Sequence, residues 1–488
     1  MGGEEIHETM IPYPNWLNAG DTAWQLAAAT LVGLMSLPGI AVLYGGIVQK
    51  KWIVNTILMA FTGFSLVLLV WVLWGFNMGF GTPLHLGPGI LGNFVGIPHT
   101  LLGDGTQAQA NIPLLNGGMP DFHFSQSTLA YFQFVFAAIT PLLFLGSVVG
   151  RINFKVWLIF VPLWSTLAYS VNAFLLWGGG WWAQAPRGAL DYSGGYVIHL
   201  AAGTTGFVAA AVIGPRLARD RARAVPNNLP MAAVGAGILW LGWNGFNGGD
   251  PYFAGADAAT AVLNTNLATA TALLTWLLMD MFLSPQRKPT FLGSVNGMIS
   301  GLVAITPAAG FVNGLGALLI GVIASALVWL SWNKLARTRL FTRVDDTLGV
   351  VHTHGVAGLA GGLLVGLFAD PHIVEYLNKD GSTGFSATGL LYGNPMQLAV
   401  QAGAALTVIV WDALITYLIL KFLSLFMKLR MSDDELESGD VATHDEEAYP
   451  DESLVHAVAG APSSAVAPAP AQGADRVGLV SDAEPGAG

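Results

Sequence analysis

The chain has 488 residues, of which 53% are hydrophobic and only 10% charged, with 61 glycines and no cysteine. A soluble domain carries about 25% charged residues, so a soluble globular fold is excluded, and the lack of thiols excludes disulfides and thiolate metal sites. The net charge of -10 is concentrated between Asp433 and Glu452 and says little about the apolar body.

Residues 1–21 are polar, open on Glu4 and Glu5 without a basic stretch, and do not read as a cleaved signal peptide. A hydrocarbon core about 30 Å thick needs roughly 20 apolar residues per helix. That ruler predicts an all-α polytopic membrane protein with eleven transmembrane helices, at 22–46, 53–80, 127–149, 155–179, 191–213, 229–248, 259–284, 290–307, 313–335, 347–369 and 396–426. Basic residues set the orientation. Lys50, Lys51, Arg151, Lys155, the run Arg216 to Arg223, Arg287, Lys288, Lys334 to Arg343, Lys428 and Arg430 fall on one side, against Arg187 and Lys379 on the other. The expected topology is therefore N-terminus outside, C-terminus inside. A first block of five helices is then inverted relative to the next five, an inverted 5+5 repeat followed by a final long helix. The expected membrane body is 22–430, with a soluble acidic tail at 431–452. Residues 453–488, rich in Ala, Pro, Gly and Ser, read as disordered.

Ionisable groups inside the spans are few: His199, His352, His354, Asp280 and Asp412. Such groups are costly in lipid and mark candidate functional sites. The fifth span holds His199-Leu-Ala-Ala-Gly203 and the tenth holds His354-Gly-Val-Ala-Gly358, both H-x-x-A-G at the same ordinal place in the two halves. Helix rise puts His199 about 12 Å from the outer end and His354 about 11 Å from the inner end, so the two lie at similar depth and can share a hydrogen bond. Spacing alone leaves open a functional pair or two satisfied structural histidines. His352, two residues from His354, faces about 200° away on an α-helix and reads as structural. The topology also gathers Phe132, Trp177, Phe246, Asp250, Thr306 and Asp191 at the outer ends of their spans. That group reads either as a cup for a small cation, drawn by ring faces and carboxylates, or as an interfacial aromatic belt.

The segments Gly188-Ala-Leu-Asp191-Tyr-Ser-Gly-Gly-Tyr-Val-Ile-His199, Gly242-Trp-Asn-Gly-Phe246-Asn247 and His354-Gly-Val-Ala-Gly358 resemble the ammonium transporter family, the Amt/Mep branch of the Amt/Mep/Rh superfamily. So do Asn228-Leu-Pro230, Trp177-Gly-Gly-Gly180 and Val344-Asp-Asp346, in the family's order, over about residues 22–450. The resemblance implies a homotrimer in the cell membrane with one narrow pore per protomer, and neither cofactor nor metal nor enzymatic activity. It implies that Trp177 and Phe132 form the outer cation-π site and that Phe136 and Phe246 form a stacked phenylalanine gate. His199 and His354 are implied as the twin-histidine pair, and Asp191 as an aspartate that orients backbone near the recruitment site. Trp243 and Thr306 fall at pore-lining or supporting positions, and Asp346 at the cytoplasmic end of span 10. Asp250 stands where the family commonly has a serine, which either strengthens cation capture or simply opens the outer loop with Pro251. The segment Gly439 to Tyr449 resembles the family's cytoplasmic regulatory tail, which couples protomers and can meet PII-type signalling proteins.

The expected function is capture of ammonium at the outer site, its deprotonation, and passage of ammonia past the histidines with or without separate proton transfer. The alternatives are an ammonium sensor that signals through its tail and a neutral gas channel of the Rh kind, against which Trp177 speaks. No ring of intrapore carboxylates supports a general cation channel.

Overall fold

The computed structural model describes residues 14–88, 92–112, 122–183, 188–222, 225–339, 341–373, 375–377 and 383–450. Residues 1–13, Arg187, Arg223, Lys379 and residues 451–488, all used above, lie outside them. Among the described residues ten helices are long and apolar enough to cross a membrane. In chain order with one shorter apolar helix they are α1 (Ala19–Ile47), α2 (Lys50–Phe80), α3 (Gln126–Val148), α4 (Phe154–Leu176), α5 (Gly195–Ile213), α6 (Leu229–Gly248), α7 (Ala256–Leu283), α8 (Phe291–Ile305, the shorter one), α9 (Gly314–Arg337), α10 (Val351–Phe368) and α11 (Pro395–Ser424).

Local chemistry explains where they start and bend. Asn18, Asn153, Asn228, Thr290 and Asn313 each accept a backbone N–H from the first turn of α1, α4, α6, α8 and α9, as side chains at N-caps do. Pro38 falls within a π-helical turn of α1, Met35–Gly39, where its missing N–H removes one rung of the ladder. α3 is apolar on every face and almost wholly buried, which makes it the central helix. Helices α1 and α6 approach through glycine: a Cβ on Gly235 would lie 2.3 Å from the Leu43 nitrogen. Small residues at such crossings let backbones touch where lipid provides no hydrophobic drive.

The long connection between α10 and α11 contains a two-stranded antiparallel ribbon, β1 (Glu375–Leu377) with β2 (Thr383–Ser386), so the chain is not purely helical. The acidic tail is not a freely solvated segment either. Two short helices, α12 (Asp433–Ser438) and α13 (Asp440–His444), pack on the basic end of α2. Asp440 accepts from the Val54 and Asn55 amides at 2.8 and 2.9 Å, capping a helix start with a carboxylate. Lys51 donates to the Leu436 carbonyl at 2.6 Å and pairs with Asp220 at 3.1 Å.

Candidate functional site

Two helix starts built on one plan hold the site. Asp191 accepts at 3.1 Å from the Tyr196 and Val197 amides, so both carboxylate oxygens are occupied by the first turn of α5. Asp346 accepts from the Val350 and Val351 amides of α10 at 3.1 and 2.8 Å, and from the Ser147 hydroxyl at 2.8 Å. Three residues after each aspartate comes a glycine at positive φ, Gly194 at 100° and Gly349 at 76°. That conformation reverses the chain into the helix and suits only glycine without strain. Each helix then opens in a π-helical turn, Gly195–Leu200 and Val351–Val356, that carries its histidine. The full pattern is D-x-x-G-x4-H-x-x-A-G in both halves. The aspartate and glycine share the histidine's offset and were available to inspection, yet only H-x-x-A-G was read from the sequence.

The two starts cross where a Cβ on Gly203 would lie 2.2 Å from the Gly355 Cα, and one on Gly358 would lie 2.6 Å from the Gly195 carbonyl oxygen. This contact brings His199 and His354 together with their Nδ1 atoms 3.2 Å apart and ring centroids 5.3 Å apart. At that distance one Nδ1 donates and the other accepts, so the two rings are opposite tautomers when neutral. His199 Nε2 is buried with no hydrogen-bond partner. His354 lines a cavity of about 210 Å³ that opens toward the basic end beside Trp52, Val295 and Ile299.

A column of rings continues away from His199. Its ring stacks on Trp243 at 5.3 Å and meets Phe246 at 5.9 Å. Phe246 stacks on Phe136 at 4.3 Å and 16°, and Phe136 meets Phe132 at 4.8 Å and Trp177 edge-on at 6.4 Å. Trp243 donates to Thr306 Oγ1 at 2.9 Å, which fixes the indole behind the histidine. Trp177 donates to the Asp191 carbonyl at 2.8 Å and stacks on Phe80 at 6.4 Å, a ring not singled out in the sequence. Beside this end of the column lies a buried polar group of Asp250, Ser193 and Tyr169, with Asp250 only 9% exposed. The Ser193 hydroxyl donates to Asp250, while the charge of Asp191 acts on Asp250 and that of Asp250 on Tyr169. Asp250 is thus buried in the turn that follows α6. A carboxylate and two hydroxyls converge here, and their lone pairs can accept the N–H groups of a small cation.

The chain matches the family model described as Ammonium Transporter Family over residues 23–449. The chain belongs to that family. It is 47% identical over 449 residues to Ammonium transporter 3 member 2 of Oryza sativa subsp. japonica, covering 89% of this chain and 90% of the relative. Ammonium transporter 2 of Arabidopsis thaliana is 46% identical over 440 residues, 89% of each chain. Among solved structures, Saccharomyces cerevisiae Mep2 superposes with a TM-score of 0.71 at 28% identity, covering 86% of this chain and 89% of that one. With its apolar helices, this member of the ammonium transporter family is a multi-pass membrane protein.

The aromatic, histidine and capping residues singled out from the sequence fall on this assembly in two arrangements, while Asp280 and Asp412 lie elsewhere, bonded to Trp329 and Asn172. The rings of Phe132, Phe136, Phe246, Trp177, Trp243, His199 and His354 make one continuous column, while Asp191, Asp346 and Thr306 hold it from behind through hydrogen bonds. His352 does not join the column: its Nδ1 lies 2.7 Å from Ser331 Oγ and its ring packs on Trp332 and Phe341. Tyr169 and Ser193 were missed because a hydroxyl inside a span carries no pattern of its own. Among the described residues no group of three or more His, Cys, Asp or Glu side chains is placed to hold a metal ion.

Proposed function

We propose that the chain is an ammonium transporter that captures ammonium at the outer aromatic site and conducts ammonia past the twin histidines. The observation that carries this reading is the buried His199–His354 pair at 3.2 Å, joined by an unbroken run of rings to Trp177 and Asp250. Ring faces and the Asp250 carboxylate attract the cation, and lone pairs of Asp250, Ser193 and Tyr169 accept its N–H groups. Phe136 on Phe246 closes the way with apolar surface. A bare cation beyond it loses its hydration with nothing equivalent in return, so ammonium leaves its proton at the outer site and ammonia passes. The histidines then offer ammonia one acceptor and one N–H donor, and a hydrogen-bonded pair can also relay the proton, making transport electrogenic.

The same reading takes α8 as a spanning helix, giving eleven spans with the basic end in the cytoplasm and the two halves inverted; the matching D-x-x-G-x4-H-x-x-A-G units support it. It takes the functional unit as a homotrimer, with the docked tail as the surface offered to a PII-type partner. In proteoliposomes we expect a saturable ammonium-dependent current, little potassium current, and loss of the ammonium current in His199→Ala. A potassium current of equal size, or an ammonium current untouched by removing either histidine, would refute it.

A further inference from the structure

We propose that Asp412 and Asn172 form a proton-binding site in the membrane interior, separate from the histidine column: a neutral carboxylic acid paired with an amide. Asp412 lies on α11, 17 residues after Pro395 and 12 before Ser424, or about 25 Å and about 18 Å from the two ends by helix rise. Asn172 lies on α4, and its Nδ2 donates to Asp412 Oδ2 at 2.6 Å. Both side chains are wholly buried. Each nevertheless keeps one oxygen, Asn172 Oδ1 and Asp412 Oδ1, with no hydrogen-bond partner.

The two orphaned oxygens belong to the same pair, and a single proton satisfies both. An ionised carboxylate is acceptor-only and would leave Asn172 Oδ1 without a donor and Asp412 with one neutral donor for a full charge. Protonation forms an O–H bond on Oδ1, removes the charge, and supplies the donor that the amide oxygen lacks. The amide and the acid then close a ring of two hydrogen bonds. No charged side chain competes for this role: among the described residues Asp412 makes no ion pair.

The elements packed on α11 are α4, α5, α10 and the turn Leu390–Tyr392. Their titratable groups are Lys155, Tyr169, Tyr196, His199, His352, His354 and Tyr392, and α11 itself carries Tyr417 and Lys421, five and nine residues beyond Asp412. Lys155 opens α4 about 25 Å from Asn172 by helix rise. Tyr169 packs on Trp71 and Trp164, the ring of Tyr196 meets Gly362, His199 and His354 hold each other, and His352 is held by Ser331. One turn further along α11, Thr416 donates to Thr205, which also receives Trp164. The Thr416–Thr205–Trp164 cluster beside the pair is thus hydrogen-bonded and neutral. The proton therefore ties α4 to α11, and its release would place a bare charge between them.

The test uses the full chain in lipid. Infrared spectra at neutral pH are expected to show the carbonyl band of a protonated carboxylic acid that is missing in Asp412→Asn. That variant keeps the shape and neutrality of the pair and can close the same ring amide to amide, so its melting temperature at neutral pH should equal that of the wild type. As the pH is raised, the wild type should lose melting temperature and Asp412→Asn should lose less. A protonated-acid spectrum unchanged in Asp412→Asn, or equal alkaline sensitivity of the two proteins, overturns the proposal. So does a variant that fails to fold, since a neutral isostere is what the site is argued to hold already. Asn172→Leu provides the second arm: with the amide gone, the acid band should shift and the melting temperature fall, and an unshifted band would show that Asn172 is not the partner.

Discussion

The two histidine-bearing helix starts share a backbone and differ in almost everything around it. In the first, Asp191 caps α5, Gly194 turns the chain, and the residue before the cap is held by a neutral amide: Gln401 accepts from the Leu190 nitrogen at 2.6 Å and donates to its carbonyl at 2.8 Å. In the second, Asp346 caps α10, Gly349 turns the chain, and the residue before the cap is Asp345, held by cations. Arg216 reaches the Asp345 carboxylate through Nε and Nη2 at 3.0 and 2.7 Å, and Arg151 donates to the Asp345 carbonyl. The first histidine faces aromatic rings, the second a cavity. A common device thus sets where the imidazoles sit, and unrelated neighbours set what each end of the path meets. Position and selectivity can therefore be broken separately.

The largest effect is expected where the two starts touch. Valine at Gly203 or Gly358 would drive its Cβ into opposing backbone at 2.2 and 2.6 Å, and backbone has no rotamer by which to give way. Either substitution should cost about 3 kcal/mol or more. Size-exclusion profiles and thermal unfolding of Gly203→Val and Gly358→Val check it. Near-wild-type melting of one but not the other would show that the crossing is not shared equally.

Removing the caps comes next. Asp191→Ala and Asp346→Ala each strip two backbone amides of their charged acceptor, at about 2 kcal/mol apiece, so both should lower the melting temperature by similar amounts. Transport should separate them. Asp191→Ala disturbs the loop whose carbonyl holds Trp177, so it should raise the apparent KM for ammonium, whereas Asp346→Ala should leave KM nearly unchanged. Equal changes in KM would mean that the outer site does not depend on the first cap.

Much of this plan was legible in the sequence for a physical reason. A hydrocarbon core imposes a length on every apolar run, so the predicted span at 229–248 coincides with the observed Leu229–Gly248. The histidines stood out because an imidazole in lipid is expensive and the H-x-x-A-G signal occurs twice. The caps were harder, since Asp191 bonds to amides five and six residues ahead only because a left-handed glycine and a π turn intervene. Contacts between distant positions left no trace at all. Asn172 and Asp412 lie 240 residues apart, and no periodicity joins them. The tail's docking through Asp440 was hidden for the same reason, since an acidic segment has the same composition whether solvated or capping a helix.

The smallest effect is also the one that most directly opposes a neutral clamp to a charged one. Burial by itself would raise the Asp345 carboxyl, but the hydrogen bonds and charge of Arg216, with the charge of Arg151, outweigh it and hold the group below its usual range. A depressed pKa means that folding favours the ionised form. The stabilisation is then complete above the ordinary carboxylate value of about 3.9 and is lost as the pH falls below it. The Gln401 amide does not titrate, so the clamp on Leu190 has no such dependence. Acidification from about pH 5 to about pH 3 should therefore speed backbone hydrogen exchange at 345–351 beyond the intrinsic change with pH, and more than at 190–197. Asp345→Asn, which lacks the titrating group, should exchange faster at 345–351 already at pH 5 and respond less to acid. Equal acid sensitivity of both segments, unchanged in Asp345→Asn, would place the charged clamp outside the forces that hold His354 in position.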